Sequence, residues 1–143
     1  MSVAQILSVK GTDVITTTPD KTLHETAQTM ARRGIGAIIV CGSTGEIAGI
    51  LSERDIMRAI AEHGAGALEQ RVSSHMTKKV MMAEKTSTAI SVMQRMTAGR
   101  FRHMPVLHDG ELAGLVSIGD LIKHRLAELE DEQQALKEYI ATA

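Results

Sequence analysis

The apolar and polar positions of the chain predict the same series of elements twice. The series is a short strand, a helix, two strands joined by a polar turn, and a second helix. In the first copy these elements fall near residues 14–16, 22–34, 37–41 and 47–51, and from residue 53 onwards. In the second copy they fall near residues 80–82, 88–99, 103–107 and 112–116, and from residue 118 onwards. Each half of the chain is therefore predicted to form a β-α-β-β-α unit.

Two local signals mark the ends of the first helix in each unit. Thr22 and Thr88 suit the N-cap position, because a hydroxyl can accept a hydrogen bond from a free backbone N–H group. Gly34 and Gly99 are expected to end these helices, since glycine readily adopts the left-handed conformation. The apolar spacing predicts one buried face on each helix, formed by Leu23, Ala27, Met30 and Ala31 and by Ala89, Met93, Met96 and Thr97.

Aligned directly, the two halves match as a repeat, with one extra residue in the turn at 42–45 of the first copy. A unit of this size buries too little apolar surface to be stable alone. We therefore expect an α/β (α+β) fold in which two tandem units pack about a pseudo-two-fold axis. The predicted division is 3–66 for the first unit, 67–127 for the second and 128–143 for a helical extension. Within it, residues 3–10 and 68–77 lead into the two copies, and residues 63–66 form a flexible connection.

The helical pattern after Asp120 continues to about Ile140. Apolar residues recur in it at coiled-coil-like spacing, namely Ile122, Leu126, Leu129, Leu136 and Ile140. Gln133 is the one polar residue that interrupts this series. This pattern predicts one long C-terminal helix that contacts a partner chain, and hence a homodimer.

Composition and charge exclude several classes of function. Aromatic residues make up 1% of the 143 residues, which leaves no platforms for stacking nucleic acid bases. The formal net charge of −1 predicts no general attraction to nucleic acid or to anionic membranes. The single Cys41 and the absence of a signal-peptide pattern favour a reducing, cytoplasmic location.

No known catalytic or metal-binding motif is present in the sequence. The six histidines form no H-x-x-x-H pair and have no cysteine or clustered carboxylates at zinc spacing, so no metal site is predicted. Neither a Gly-x-Ser-x-Gly elbow nor a Walker loop is present, so no catalytic residue is predicted. Cys41 is interpreted as a small apolar residue rather than a nucleophile, which makes a small hydrolase the weakest of the alternatives.

The most informative repeated motif is Ser-x-x-Asp, which spans 52–55 and 117–120 at the start of each second helix. Two interpretations are open. In the first, serine and aspartate form a capping box that satisfies backbone N–H groups. In the second, the helix N-terminus attracts ligand oxygens and the carboxylate accepts hydrogen bonds from a vicinal diol such as that of ribose. Arg54 is either a solvated charge or a contact to phosphate.

The two motifs, Gly49-Ile-Leu-Ser-Glu-Arg-Asp55 and Gly114-Leu-Val-Ser-Ile-Gly-Asp120, resemble those of a CBS domain pair, or Bateman module. The resemblance implies a non-catalytic regulatory module that binds AMP, ADP, ATP, NAD(H) or S-adenosylmethionine in the cleft between its two units. It implies ribose contacts from the two aspartates and phosphate contacts from the basic residues before a Pro-Val pair. The first copy has neither that basic pair nor the proline, although its small residues leave room for adenine. The base is expected to meet the backbone where the first strands start.

The ligand-binding residues expected on these grounds are Ile15, Thr16, Gly36, Ala37, Ser52, Arg54, Asp55, Met82, Arg102, His103, Met104, Pro105, Ser117 and Asp120. The alternative is a ligand-silent dimerisation or protein-interaction module in which the Ser-x-x-Asp motifs only cap helices. The protein that such a module would regulate is not indicated by the sequence.

Overall fold

The computed structural model describes residues 1–142, which divide into two compact units. The first-repeat unit comprises residues 14–81. The second-repeat unit comprises residues 1–13 together with residues from 82 onwards. Each unit contains one three-stranded sheet with helices packed on it, so the predicted mixed α/β class is confirmed.

The first-repeat unit contains, in chain order, β1 (Thr16–Thr17), α2 (Leu23–Arg33), β2 (Ala37–Cys41), β3 (Ile47–Ser52) and α3 (Glu53–His63). Its sheet has the strand order β1-β2-β3. Strand β1 is parallel to β2, and β2 forms an antiparallel hairpin with β3. Two 3-10 segments follow, Gly64–Glu69 and Val72–Ser74.

The second-repeat unit contains α1 (Val3–Lys10), β4 (Ala83–Glu84), α4 (Ala89–Gly99), β5 (His103–His108), β6 (Glu111–Ser117) and α5 (Ile118–Thr142). Its sheet has the same topology, with the strand order β4-β5-β6. Again the first pair of strands is parallel and the second pair is an antiparallel hairpin. The long C-terminal helix is therefore confirmed.

Three of the four predicted ends of α2 and α4 are as expected. The Thr22 hydroxyl accepts a hydrogen bond from the backbone N–H of Glu25 at 3.1 Å, and α4 has the same cap at Thr88. Gly34 is left-handed, with φ of 65°. The prediction for Gly99 is wrong by one residue: Gly99 remains helical and Arg100 is left-handed, with φ of 57°. A Cβ atom on Gly99 would collide with the Phe101 ring, so glycine serves close packing at this position.

The buried faces of α2 and α4 follow a spacing of i, i+3 and i+7, which differs in part from the predicted one. The buried residues are Leu23, Thr26 and Met30 in α2 and Ala89, Val92 and Met96 in α4. Each unit has its own apolar core, in which these helices pack against alternate residues of the hairpin strands. Thr26 is tolerated in this position because its hydroxyl lies 3.2 Å from that of Thr17.

The first strands are shorter than predicted and begin later in the chain. Ile15 and Met82 immediately precede β1 and β4 instead of lying within them. The segment 63–66, predicted as a flexible connection, is helical in the structure. Helix α3 ends at His63, and the 3-10 segment after it buries Ala67 completely in the first-repeat core.

The segments that precede the two repeats pack on the opposite copy from the one they lead into. Helix α1 buries Val3, Ile6 and Leu7 in the core of the second-repeat unit. The segment 64–77 packs on the first-repeat unit, where the N–H of Thr77 donates to the carbonyl of Ile50 at 2.9 Å. The compact units are therefore interleaved in sequence, unlike the contiguous division at residues 66 and 67.

Two equivalent glycines in the third strand of each sheet allow this packing. A Cβ atom on Gly49 would lie 2.7 Å from the backbone oxygen of Thr77. A Cβ atom on Gly114 would lie 2.7 Å from a terminal methyl group of Leu7. At Gly49 the close neighbour is backbone and cannot shift easily, whereas at Gly114 it is the end of a side chain.

We predict that Gly49→Ala lowers the free energy of unfolding by about 1–3 kcal/mol, because a backbone carbonyl cannot move aside cheaply. Gly114→Ala is expected to cost less, since the Leu7 side chain can rotate away. Gly66→Ala is the control, because no atom lies within 4 Å of its added Cβ. Urea denaturation measures all three, and equal stability of the Gly49 and Gly66 variants would contradict the prediction.

Candidate functional site

Both Ser-x-x-Asp motifs form capping boxes where a strand passes into a helix. At the start of α3, the Ser52 hydroxyl accepts from the N–H of Asp55 at 3.3 Å, and the Asp55 carboxylate accepts from the N–H of Ser52 at 2.9 Å. At the start of α5, the equivalent distances for Ser117 and Asp120 are 3.1 and 2.8 Å. The capping role is therefore present in both copies. Whether either aspartate can also bind a ligand depends on how exposed its carboxylate oxygens are and on their other partners.

Each helix start lies beside the first residues of the middle strand in the same unit. The N–H of Glu53 donates to the carbonyl of Gly36 at 2.9 Å, and the N–H of Ile118 donates to that of Arg102 at 2.8 Å. The register places Ala37 opposite Ser52 and His103 opposite Ser117. The sequence-predicted residues of the middle strand and of the helix start are thus brought together in each unit. We call these clusters the first and second half-sites.

The Asp55 carboxylate in the first half-site is enclosed by its own unit and is only 6% exposed. One oxygen, Oδ2, accepts from the backbone N–H and the hydroxyl of Ser52. The other, Oδ1, lies 3.5 Å from a guanidinium nitrogen of Arg58 and 3.4 Å from the Thr77 hydroxyl. Both oxygens of this carboxylate therefore have partners within the chain.

The Asp120 carboxylate in the second half-site is more exposed and has a different partner. The Lys10 ammonium donates to Oδ2 at 2.6 Å and also to the carbonyl of Leu115 at 2.7 Å. Burial raises the pKa of Asp120, but hydrogen bonds from Lys10 and the Ser117 backbone outweigh it, so the pKa lies below its ordinary value. This carboxylate is ionised at neutral pH and forms an ion pair with Lys10, which belongs to the segment that precedes the first repeat.

The strand residues of the second half-site alternate between the two faces of the sheet. Met104 and Val106 are fully buried in the core of the unit. Because side chains alternate along a strand, His103 and Pro105 occupy the opposite face. The Met104 side chain lies in this core, so its expected ligand contact stays a prediction for its backbone groups. Arg102 is exposed and His103 is half-buried.

The remaining predicted residues of the first half-site differ in exposure. Arg54 is exposed on the first turn of α3 and Ala37 is buried, whereas Ile15 and Gly36 are half-buried. Thr16 is exposed and lines an open pocket of about 350 Å³ beside α2. No other predicted residue lines this pocket, which is bounded by Thr16, Thr17, Thr18, Lys21, Glu25, Thr26, Gln28, Thr29 and Arg32.

At the start of β4, the backbone oxygen of Met82 accepts a hydrogen bond from the Arg95 guanidinium at 2.8 Å. An adenine that approached the backbone at this position would encounter a carbonyl that already has a partner.

Sequence reasoning missed three residues that bind the two aspartates. Arg58 lies one helical turn after Asp55, and this i, i+3 spacing could have identified it. Lys10 and Thr77 gave no local signal, because each reaches its aspartate only through the packing of a preceding segment on the opposite copy.

Other chemistry has little support within residues 1–142. Burial, followed by the charge of Glu46, raises the pKa of the Cys41 thiol, which disfavours its nucleophilic form. No group of three or more His, Cys, Asp or Glu side chains in these residues is placed to hold a metal ion. None of the helices in this part of the chain is both long and apolar enough to span a membrane.

The structure thus consists of two tandem β-α-β-β-α units, each with a Ser-x-x-Asp capping box at the end of its hairpin. The CBS domain family model matches residues 4–62 and 72–127. The chain therefore belongs to the CBS domain family, and its two matches form a CBS pair. Proteins of this kind are generally regulatory, non-catalytic modules.

Proteins of known structure share this architecture. The CBS-domain containing protein ATU1752 from Agrobacterium tumefaciens is 45% identical, with a TM-score of 0.85 over 87% of this chain and 92% of that one. The CBS domain pair of protein MJ0100, in complex with 5′-methylthioadenosine and S-adenosyl-L-methionine, is 21% identical, with a TM-score of 0.80 over 90% of this chain and 98% of that one. This second likeness shows the fold alone.

A curated relative is longer than this chain. The mitochondrial CBS domain-containing protein CBSX3 of Arabidopsis thaliana is 34% identical over 127 residues, which cover 86% of this chain and 62% of the relative. The chain thus spans less than two thirds of that protein.

We predict that Lys10→Met destabilises the protein by about 0.5–1 kcal/mol at neutral pH, since the ion pair is partly exposed. Because the pKa of Asp120 is lowered on folding, its contribution is present above about pH 4 and is lost as the pH falls through the folded-state pKa. The difference between wild type and variant should therefore shrink below pH 4. Urea denaturation across pH 2–7 measures the free energy of unfolding of both proteins. The control is Lys21→Met, which removes the exposed ion pair between Lys21 and Glu25. A difference that does not change with pH would contradict the prediction.

Proposed function

We propose that this CBS pair senses an adenosine-containing ligand, namely AMP, ADP, ATP, NAD(H) or S-adenosylmethionine, and regulates a partner protein without catalysing a reaction. The MJ0100 pair, in complex with 5′-methylthioadenosine and S-adenosyl-L-methionine, supports this class of ligand. Ligand binding would act by changing the populations of the states that a partner recognises.

The observation that carries the proposal is the arrangement of the second half-site. A partly exposed, ionised carboxylate at a helix N-terminus lies in the same cluster as an arginine and a histidine. A nucleotide needs this combination, because its ribose donates from a diol while its phosphate accepts from cations and N–H groups. The function therefore rests on complementary chemistry within a single unit.

Within this proposal each residue of the second half-site has a distinct role. Asp120 accepts hydrogen bonds from the ribose hydroxyls, and Ser117 contacts ribose or phosphate oxygens. Arg102 and His103 bind phosphate. The adenine is held edge-on by backbone groups near Met82, whose carbonyl retains a second lone pair beside its contact with Arg95. Aliphatic side chains flank the base, since the chain has no tryptophan, its one tyrosine lies in α5 and its one phenylalanine, Phe101, packs against the core.

The first half-site is proposed to contribute less to binding. Both oxygens of Asp55 already have partners within the chain, so a ribose would have to displace Arg58 or Thr77. Gly36 and Ala37 provide no cation where the second copy has Arg102 and His103. Arg54, exposed on the first turn of α3, is the remaining candidate for a phosphate contact.

The alternative function is a ligand-silent dimerisation or protein-interaction module. The complete capping box of Asp55 favours it, because that motif is fully accounted for by helix capping. Both functions include a homodimer, which we also propose, with the long C-terminal helix taking part in the contact.

We predict that one of AMP, ATP, NAD, NADH or S-adenosylmethionine raises the melting temperature, because a ligand that binds only the folded state stabilises it. At a hundred times Kd the stabilisation is about 2.7 kcal/mol, which corresponds to about 5 °C or more. Asp120→Asn should remove most of the shift, whereas Asp55→Asn should retain most of it. Differential scanning fluorimetry measures these shifts.

Asp109→Asn is the matched control for this experiment. Asp109 lies at the opposite end of the β5–β6 hairpin and is left-handed, with φ of 52°, a conformation that asparagine tolerates. Its shift should equal that of wild type. A flat response to every ligand would favour the alternative function, and an unchanged shift in Asp120→Asn would remove the ribose role of that residue.

A further inference from the structure

The last helix extends beyond the unit to which it belongs. Leu121 is its only buried residue, and its first turns pack on α1 and α4. From residue 129 to residue 142 every side chain is exposed. The packed first turns supply the nucleus of α5, so the exposed half only has to propagate from them, which is close to neutral in water. The apolar side chains that this half exposes are therefore what points to a covering surface.

One face of this helix is apolar at heptad spacing. Positions 122, 126, 129, 133, 136 and 140 alternate by four and three residues, as the a and d positions of a coiled coil do. The exposed fractions of the apolar members are 44% for Ile122, 55% for Leu126, 44% for Leu129, 58% for Leu136 and 65% for Ile140. Only Gln133 is polar in this series, which we call the α5 seam.

The residues beside the α5 seam indicate what covers it. In the heptad that places Leu126 at a, Arg125 and Glu132 occupy g positions, while Glu130 and Lys137 occupy e positions. Charges at e and g select the partner and orientation of a coiled coil, because a g residue meets the e residue of the next heptad in a parallel pair.

We propose that the α5 seam forms a parallel, in-register, two-stranded coiled coil with the same helix of a second copy of this chain. Arg125 then faces Glu130 of the partner subunit, and Glu132 faces Lys137 of the partner subunit. Two-fold symmetry repeats both attractive pairs, which makes four in all. The proposal rests on the homodimer proposed above and adds its orientation and register.

The antiparallel arrangement of the same helices is disfavoured by charge. When Leu129 lies opposite Gln133 of the partner subunit, e positions face e positions and g positions face g positions. Glu130 and Glu132 then each face their own copies, and Lys123 faces Lys137 of the partner subunit. Like charges directly opposite one another destabilise a pair.

Gln133 fits the parallel register for a second, independent reason. In that register it lies opposite Gln133 of the partner subunit in an a layer. An amide can donate to and accept from its own copy, and a single polar a position is a known device for specifying register. In the antiparallel register the same amide would lie opposite leucine and lose this partner.

The ion pairs within α5 do not oppose this arrangement. Arg125 contacts Glu128 at 2.8 Å and Glu132 at 3.8 Å in its own helix. Such exposed pairs contribute little to stability, so Arg125 can exchange one of them for Glu130 of the partner subunit at small cost.

The first test is disulfide formation in the full chain after Cys41→Ser removes the native thiol. Gln133→Cys should form a covalent dimer under mild oxidation, because two facing a positions lie within disulfide reach. Asp131→Cys is the matched control, since position 131 lies on the outer face of the coil. On non-reducing electrophoresis the Gln133→Cys variant should give at least about tenfold more covalent dimer than the Asp131→Cys variant.

The second test reverses charge beside the α5 seam and measures the dimer Kd by sedimentation. Lys137→Glu should weaken the dimer by about 5- to 30-fold, since two symmetric attractions become repulsions. The double change Glu132→Lys with Lys137→Glu should restore it. A tighter dimer in Lys137→Glu would instead indicate the antiparallel pairing with Lys123 and overturn the proposal.

The remaining outcomes separate the coil from the homodimer itself. The coiled coil is overturned if the protein is a stable dimer but the Gln133→Cys variant forms no disulfide. It is also overturned if the dimer Kd does not change in the charge variants, and in both cases the homodimer itself is retained. A monomer at all accessible concentrations overturns both.

Discussion

The structure depends on a short junction at which a hairpin strand becomes a helix. One backbone hydrogen bond at each junction, from Glu53 to Gly36 or from Ile118 to Arg102, ties the helix start to the beginning of the middle strand. The capping box then fixes the carboxylate in the first turn. Sheet register, helix direction and the position of the candidate ligand groups are all set at this point, so fold and site share one constraint.

The same junction distinguishes the two copies. Asp55 is enclosed by Arg58 and Thr77, whereas Asp120 is more exposed and bound to Lys10. Thr77 and Lys10 belong to the segments that precede the repeats and pack on the opposite copy, whereas Arg58 lies in α3 itself. A duplicated motif has therefore produced one carboxylate enclosed within its unit and one that is paired with a partly exposed lysine.

Much of the fold could be predicted from one sequence because the signals were local and occurred twice. The threonine caps, the hairpins and the helix starts after Ser52 and Ser117 all depend on residues within a few positions of one another. The errors have an equally physical origin. Gly99 was assigned to a left-handed position, but the Phe101 ring needs the space its missing side chain leaves. Thr26 and Val92 are buried more fully than the predicted Ala27 and Met93, because the position of the sheet decides which side of a helix is covered.

The sequence by itself determined the repeat, the element types, the capping motifs and the heptad spacing of α5, since each is a matter of local chemistry and period. It also carried the family resemblance, which the CBS domain matches confirm. Only the tertiary structure decided that α1 packs with the second repeat, that the segment 64–77 packs with the first and that Lys10 binds Asp120. These contacts join residues far apart in the chain, and their partners are selected by packing, which no local pattern encodes.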